Sequence, residues 1–263
     1  MTDDPAVGVR MRTFGTHPGI KAVAPAMCSI SQSRDRSGAF ETIITETQGG
    51  VQVAYTPTET QLEQWISTER LTRYRSARED TVELYLWNAE LSAQLLELVG
   101  HVEVLMRNAI HSQLAPHSID QKWYIDGYYS FPSRAQKEIA TAQGRATRGG
   151  QAEAPGKVVA ELMFGFWRFL LSSRYQTTVW PRVQNAFQGV PKHLRNRAEL
   201  ETAFARVHEL RNRVAHHEPI FHQANYQHVA DLLFVAGYID DRAARMLADR
   251  TGVFDVLARR PAI

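Results

Sequence analysis

Residues 84–109, LYLWNAELSAQLLELVGHVEVLMRNA, carry a regular apolar pattern that predicts one long helix. The apolar positions recur at spacings of three and four: Leu84, Trp87, Leu91, Leu95, Leu98, Val102, Leu105 and Ala109. This is one face of an α-helix, held for about seven turns. The helix is expected to begin near Asp80 and to end before Pro116, a rod of about 50 Å at 1.5 Å per residue. Gly100, inside this helix, is predicted to mark a close crossing with another element.

Helical patterns elsewhere predict an all-α fold. Residues 58–61, TETQ, fit a capping box that begins a helix. A short helix is expected to begin with Ser133 as its cap, and another to run from Lys157 to about Tyr175. A further helix is expected from Asn196 or Arg197 to about His217, where Pro219 stops it. One more helix is expected over residues 225–238, and one or two short helices over 240–258. The glycine-rich segment 144–156 is expected to be a flexible loop.

The first 53 residues lack periodicity and are predicted to be a mostly disordered head before a helical domain over residues 54–263. Only residues 39–53 indicate a strand, through Ile43, Ile44 and Val51. Because folding signals begin at Tyr55, one hypothesis is that the head is an upstream extension from a wrongly chosen start codon.

Composition excludes several classes of protein. The chain has 263 residues, of which 44% are hydrophobic, and a net charge of +2 from 30 basic and 28 acidic side chains. It is therefore no polycation, and any contact with nucleic acid must come from a local patch. The one cysteine, Cys28, cannot form an internal disulfide framework. No apolar run approaches the roughly 20 residues of a membrane span, and no secretory signal is evident. A cytoplasmic protein without membrane contact is predicted.

Candidate chemistry lies in residues 211–216, RNRVAH. A guanidinium can hold a phosphate through two parallel hydrogen bonds, and an imidazole can move a proton near neutral pH. On a helix, Glu209, Asn212 and His216 form one stripe (i, i+3, i+7). A separate face carries the apolar residues Leu200, Phe204, Val207, Leu210 and Val214. The polar stripe is therefore expected to lie outside the core.

These groups are suited to cutting RNA without a metal. The 2′-OH must lose a proton as it attacks phosphorus, the leaving 5′-oxygen must gain one, and the phosphoryl charge must be stabilised. Arg211 would hold the phosphate, His216 would act as acid or base, and Asn212 would orient either one. Because in-line attack favours groups on both sides of phosphorus, a second copy of the motif from a two-fold dimer is expected. The products would be a 2′,3′-cyclic phosphate and a 5′-OH.

The spacing by itself also fits an exposed helix end. An arginine followed five positions later by a histidine is common by chance. Arg211 and Arg213 would then be solvated, and His216 or His217 would interact with the helix dipole.

Three segments of the chain resemble a known family. Residues 209–221, ELRNRVAHHEPIF, resemble the signature of the Abi-like (abortive infection, AbiD/AbiF-type) proteins of the HEPN superfamily. Residues 101–110, HVEVLMRNAI, resemble the family's long-helix segment, and residues 161–167, ELMFGFW, its Gly-x-Trp helix. The resemblance covers about residues 55–260 and leaves the head uncovered.

The resemblance implies a HEPN-type helical bundle, dimerisation and metal-independent endoribonuclease activity in phage defence or toxin–antitoxin systems. The HEPN motif is an arginine, a polar residue, three or more variable positions and a histidine, and it falls on Arg211, Asn212 and His216. Because some HEPN proteins are inactive binding modules, a non-catalytic RNA-binding or regulatory module is the alternative, and a purely structural interaction protein is a third. RNA, a second copy and an antitoxin of RNA or protein are the expected partners, with no cofactor.

Several residues are candidates for supporting roles. Glu103 and Arg107 lie at i, i+4 with Asn108 beside them, either as a surface ion pair or as groups that fix Arg211 or His216. Glu209 shares the stripe of Asn212, and His217 could assist catalysis or point away.

Three further patterns have an ordinary explanation beside a functional one. The histidines His208, His216, His217, His222 and His228 fit no strong zinc spacing, so no metal is predicted. The rings Trp123, Tyr124, Tyr128 and Tyr129 could stack on bases, but packing on the helices is favoured. The cations Arg195, Arg197, Arg206, Arg211 and Arg213 form a mild basic patch, suited to phosphates or simply solvated.

Overall fold

A computed structural model of the chain describes residues 27–34, 40–47, 55–77 and 80–261, with side chains for the last two ranges. The chain divides into one unit over residues 1–55 and another over 56–263. In the first, Met27–Arg34 (β1) and Phe40–Thr47 (β2) pair antiparallel. Strand β2 contains two of the residues that indicated a strand. Val51 and most of the head lie outside the described residues, so its disorder stays a prediction.

The regular structure described in the second unit is helical, which confirms the all-α prediction. Its α-helices are α1 (Glu59–Ile66), α2 (Thr68–Arg75), α3 (Thr81–Leu114), α4 (Ser133–Ala146), α5 (Pro155–Glu161), α6 (Phe164–Leu170), α7 (Trp180–Val183), α8 (Arg197–Ala215), α9 (Asn225–Ile239), α10 (Asp241–Arg250) and α11 (Val253–Ala258). The capping box at Thr58 is present. Of the helices in the described part of the chain, none has both the length and the apolar content of a membrane span.

The long helix α3 confirms the prediction from its apolar stripe. Asp80 caps it by accepting hydrogen bonds from the backbone of Val82 and Glu83, each at 2.9 Å. The predicted stripe is buried from Leu84 to Val102, but Met106 and Ile110 then replace the expected residues in the core. The buried face therefore turns around the helix towards its C-terminal end. Helices α8 and α9 both pack on α3.

The single helix predicted over residues 157–175 is wrong. Leu162 and Met163 have extended backbones, with ψ of 134° and 154°, and separate α5 from α6. The apolar residues that suggested one central helix belong to two short helices, each of which buries its own set of side chains. Leu162 lies in the extended segment between α5 and α6 and is itself buried. The break therefore places another apolar side chain in the core.

The predicted loop over residues 144–156 is shorter, because α4 continues to Ala146 and α5 begins at Pro155. Glu153 anchors what remains by accepting hydrogen bonds from Tyr124 Oη at 2.8 Å and Gln143 Nε2 at 3.1 Å. Ser133 is not a cap but the first residue of α4, which lacks a side-chain cap.

The aromatic segment after α3 forms part of the core. Trp123 is fully buried and contacts five other rings, those of Tyr124, Tyr129, Phe131, Phe166 and Trp167. Packing on the helices is therefore confirmed for Trp123, Tyr124 and Tyr129. The Tyr128 ring is half-exposed, with the guanidinium of Arg182 lying 4.0 Å from its centre.

Two glycines have opposite surroundings, which corrects the expectation for Gly100. A Cβ on Gly100 would meet no atom within 4 Å, so no element crosses there; a Cβ on Gly189 would lie 1.7 Å from the carbonyl oxygen of Gly237. We expect Gly100→Ala to raise the free energy of unfolding by about 1 kcal/mol through helix propensity.

Gly189→Ala should lower the free energy of unfolding by about 1–3 kcal/mol through overpacking. Urea unfolding measures both, and a destabilised Gly100→Ala variant would contradict the open surroundings.

Candidate functional site

Helix α8 presents the motif outside the core. Asn196 begins the helix by accepting hydrogen bonds from the backbone of Ala198 and Glu199 at 3.0 and 3.3 Å. The five apolar residues predicted for one face are all buried: Leu200, Phe204, Val207, Leu210 and Val214. The core therefore fixes the rotation of α8 and leaves the polar residues of its C-terminal half on other faces.

The end of α8 is a Schellman motif that contains the two adjacent histidines. His216 is the C-cap, and His217 follows in the left-handed region at φ 54°. The His217 N–H donates to the Val214 carbonyl at 3.1 Å, and the Glu218 N–H donates to the Arg213 carbonyl at 2.8 Å. Both imidazoles are exposed. The left-handed backbone at His217 turns the chain between the two histidines.

The segment after this turn is fixed to the long helix. Asn88 on α3 is 4% exposed and accepts a hydrogen bond from the Ile220 N–H at 2.8 Å. The Asn225 side chain donates to the Ile220 carbonyl at 3.1 Å. A buried amide that satisfies a backbone group in this way is costly to remove. The C-terminal end of α8 is thus held from both sides.

A cleft of about 620 Å³ lies among α4, α6 and α8, and we call it the α4–α6–α8 cleft. Its wall includes the two motif residues Arg211 and Asn212, together with His208, Arg168 and Glu138. His216 is not among its lining residues. The structure therefore brings the predicted phosphate-binding residues to a cleft, and it places the predicted acid–base histidine beside the cleft at the helix end.

Arg211 differs from the other cations of the predicted basic patch. The other four are engaged: Arg195 donates to backbone carbonyls, Arg197 donates to the Leu171 carbonyl, Arg206 forms an ion pair with Asp231, and Arg213 forms one with Glu218. Within the described part of the chain, Arg211 makes no hydrogen bond or ion pair, although it is partly buried. A partly buried guanidinium with free donors is suited to an anion that enters the cleft.

His208 is the functional candidate that sequence reasoning missed. Its ring stacks on Phe164 with an interplanar angle of 4°, and its Nε2 atom lies 3.4 Å from Asn212 Nδ2. A Cβ on Gly165 would lie 3.4 Å from the same nitrogen, so the glycine leaves space beside the ring. Burial, and then the charges of Arg168 and Arg211, lower the pKa of His208. The lowered pKa favours the neutral ring, which can accept a proton.

His208 and Asn212 lie four residues apart on α8, and His216, the C-cap residue, follows after four more. Four residues rise about 6 Å along a helix, so the two histidines lie about 12 Å apart along the axis, with the amide between them. The sequence contains this arrangement as two i, i+4 pairs, His208 with Asn212 and Asn212 with His216. It was missed because His208 was considered only as one of five histidines for a metal site.

The predicted supporting residues have different surroundings. Glu103 is partly buried; burial raises its pKa, and the charges of Arg211 and Arg107 oppose that rise. Its carboxylate is thus close enough to Arg211 to act on it. Arg107 donates to the Ala160 carbonyl at 3.5 Å, and Asn108 and Glu209 are exposed. Neither Asn108 nor Glu209 lines the cleft.

His217 lines a separate groove of about 310 Å³ with Arg70, Arg73 and Glu218. It does not reach the α4–α6–α8 cleft. The described residues contain no group of three or more His, Cys, Asp or Glu side chains that could hold a metal ion. Within the described residues, His208 and His217 thus line two different cavities.

Comparison with family models matches residues 54–222 to the model described as Abi-like protein. This range includes α3, the α4–α6–α8 cleft and the motif at the end of α8. Neither the curated proteins nor the solved structures contain a match.

Proposed function

This chain belongs to the Abi-like protein family, and from that premise we propose that it is a metal-independent endoribonuclease of the HEPN type, acting in phage defence or as a toxin. One observation carries the proposal most of all. The partly buried guanidinium of Arg211, which makes no hydrogen bond or ion pair within the described residues, lines an open cleft together with His208, and His216 follows at the C-cap of the same helix. A cation and two proton-transfer groups are what the cleavage of RNA requires.

The reaction assigns one role to each group. Arg211 holds the scissile phosphate and stabilises the negative charge that grows on its oxygens. One imidazole takes the proton of the 2′-OH while the 2′-oxygen attacks phosphorus. Another imidazole gives a proton to the 5′-oxygen as its bond to phosphorus breaks. The ends are a 2′,3′-cyclic phosphate and a 5′-OH, and Asn212, whose Nδ2 lies 3.4 Å from His208 Nε2, orients that ring.

The second imidazole has two sources. In one arrangement the second imidazole is His208 of the same chain, which lines the cleft with Arg211. In the other, a two-fold dimer brings His216 of one copy opposite His216 of the other. The lowered pKa of His208 and its place in the cleft favour the first arrangement. Homodimerisation, and an antitoxin of RNA or protein, remain proposals.

The test of this function is cleavage of single-stranded RNA by the purified chain in excess EDTA. We expect His216→Ala and His208→Ala each to lower the rate constant by about 100-fold or more, which is the contribution of a positioned acid or base. His217→Asn is the matched control, because asparagine tolerates the left-handed backbone, and it should cleave like the wild type. Sequencing and phosphatase treatment identify the ends.

The outcomes separate the alternatives. If His208→Ala cleaves normally while His216→Ala does not, the second imidazole comes from another copy. If the wild type binds RNA and leaves it intact, the chain is a binding or regulatory module. If it neither binds nor cuts RNA, the role is structural. Loss of cleavage in EDTA would refute the metal-independent mechanism.

A further inference from the structure

The α4–α6–α8 cleft is longer than a single phosphate needs. Its lining on α8 runs from Glu201 to Asn212, which is about 16 Å along the helix axis at 1.5 Å per residue. Consecutive phosphates in one strand of a duplex advance by about 3.4 Å along its axis. The cleft therefore extends past a phosphate held at Arg211 and has room for further nucleotides of the same strand.

Each of the three helices contributes a guanidinium to the wall of the cleft. Arg134 lies on α4, Arg168 on α6 and Arg211 on α8. Arg134 and Arg211 make no hydrogen bond or ion pair within the described residues. Arg168 has one long contact, 3.9 Å from its Nη2 atom to Glu201 Oε1, whereas an N–H···O hydrogen bond measures about 2.7–3.2 Å. The donors of Arg168 are therefore available to a ligand.

Two carboxylates in the same wall leave the cleft positive. Glu201 lies 3.9 Å from Arg168 and 4.0 Å from Arg197, so two guanidiniums share it. Burial raises the pKa of Glu138, while a backbone hydrogen bond and the charge of Arg134 oppose the rise. The raised pKa favours the uncharged form of Glu138. Positive charge in a concave wall attracts the phosphates of a nucleic acid.

Arg168 and Arg211 stand at different levels of the cleft. Glu201, which Arg168 contacts, lies on α8 ten residues before Arg211, or about 15 Å along the axis. His208 lies between these two levels of α8, and burial and then the charges of Arg168 and Arg211 lower its pKa. A strand that places one phosphate at Arg211 and His208 thus meets a second cation further along the cleft.

The α6 wall also offers apolar surface beside its cation. Met163 precedes Arg168 in sequence and is 48% exposed, and Phe169 follows it and is partly exposed. Both residues line the cleft. Grooves that bind single strands combine cations for the backbone with side chains that pack on unpaired bases. The wall therefore has both features.

We propose that the α4–α6–α8 cleft binds single-stranded RNA along its length, and that Arg168 holds a second phosphate of the strand while Arg211 holds the scissile one. Arg134 adds positive charge from the α4 wall. The inference rests on the proposed nuclease function and adds a minimum substrate to it. A strand with one phosphate uses Arg211 alone, and a longer strand also gains the contact with Arg168.

The experiment measures binding of the full chain to two uncleavable strands in excess EDTA, by fluorescence anisotropy. The strands are a 2′-O-methyl dinucleotide with a single phosphate and a 2′-O-methyl pentanucleotide, in which the methylated 2′-oxygen cannot attack phosphorus. Arg168→Ala should weaken pentanucleotide binding by about fivefold at about 0.1 M salt and reduce the slope of log affinity against log salt by about 0.7, the share of one phosphate contact in a single strand. Its affinity for the dinucleotide should equal that of the wild type, and Arg211→Ala should lose affinity for both strands.

Two further variants serve as controls. Arg168→Lys keeps the charge, so it should retain most of the affinity and of the salt dependence. Arg250→Ala removes an exposed arginine on α10 that does not line the cleft, and it should bind both strands like the wild type. Circular dichroism checks that the variants fold.

Binding of these strands needs no cleavage, so this proposal and the nuclease proposal fail separately. If the chain cuts RNA and Arg168→Ala binds the pentanucleotide as tightly as the wild type, the second phosphate site is refuted and the nuclease stands. If pentanucleotide binding depends on Arg168 and RNA stays intact, the site stands without the nuclease. Equal losses for both strands in Arg168→Ala, or a similar loss in Arg250→Ala, would also overturn the site.

Discussion

Arg211→Ala is expected to lower the rate constant of RNA cleavage by about 10³-fold or more, a larger loss than that expected for either histidine variant. An arginine that stabilises charge in the transition state of phosphoryl transfer contributes about 10³–10⁵-fold. Arg211 is suited to this role because it lines the cleft and makes no hydrogen bond or ion pair within the described residues. The measurement is single-turnover cleavage of a labelled single-stranded RNA, with enzyme in excess.

The matched control is Arg213→Ala, two residues further along the same helix. Arg213 forms an exposed ion pair with Glu218 at 3.4 Å and does not line the cleft. Exposed ion pairs contribute little to stability, so this variant should have nearly the unfolding free energy of the wild type. Its rate constant of cleavage should stay within about threefold of the wild-type value. Arg211→Lys keeps the charge but loses the planar fork, and it should recover only part of the activity. Similar losses in Arg211→Ala and Arg213→Ala would show that general positive charge is what matters.

Arg211→Ala should leave stability almost unchanged. The side chain makes no hydrogen bond or ion pair within the described residues, so its removal should change the free energy of unfolding by about 0.5 kcal/mol or less. A thermal unfolding curve close to that of the wild type would therefore assign the lost activity to chemistry rather than to folding.

The elements that sequence predicts well are those whose periodicity is long and whose ends have chemical signals. Helix α3 has both, since its apolar stripe runs for many turns and Asp80 caps it. Helix α8 has Asn196 at one end and Pro219 beyond the other. The break at Leu162 and Met163 could not be predicted, because no glycine or proline marks it and the buried positions on both sides read as one apolar helix.

The candidate site is also predictable from the sequence only in part. Arg211, Asn212 and His216 are visible as a motif because they lie close together in sequence. The cleft is not visible, because its walls come from α4, α6 and α8 and only packing brings those helices together. His208 lies outside the motif in sequence, and the packing of α6 against α8 stacks its ring on Phe164 at the cleft.

Trp123→Ala is expected to cause the largest loss of stability among the predicted substitutions. Trp123 is fully buried against five aromatic rings, and its Nε1 donates to His111 Nδ1 at 3.0 Å. Truncation of a buried aromatic residue costs about 3–5 kcal/mol, since it removes apolar burial and leaves a cavity. Edge-to-face ring contacts and the orphaned His111 nitrogen add to this. Urea unfolding, followed by circular dichroism, measures the change.

Trp65→Ala is the matched control, because it removes the same side chain from a position on α1 where 62% of it is exposed. Its cost should stay below about 1 kcal/mol, as little apolar surface leaves water there on folding. The difference between the two changes in the free energy of unfolding therefore measures the effect of burial, because both variants lose the same side chain. If both variants unfolded at the same urea concentration, the aromatic segment after α3 would not be part of the cooperative core. Its contacts with Phe166 and Trp167 on α6 would then not stabilise the helix that lines the cleft.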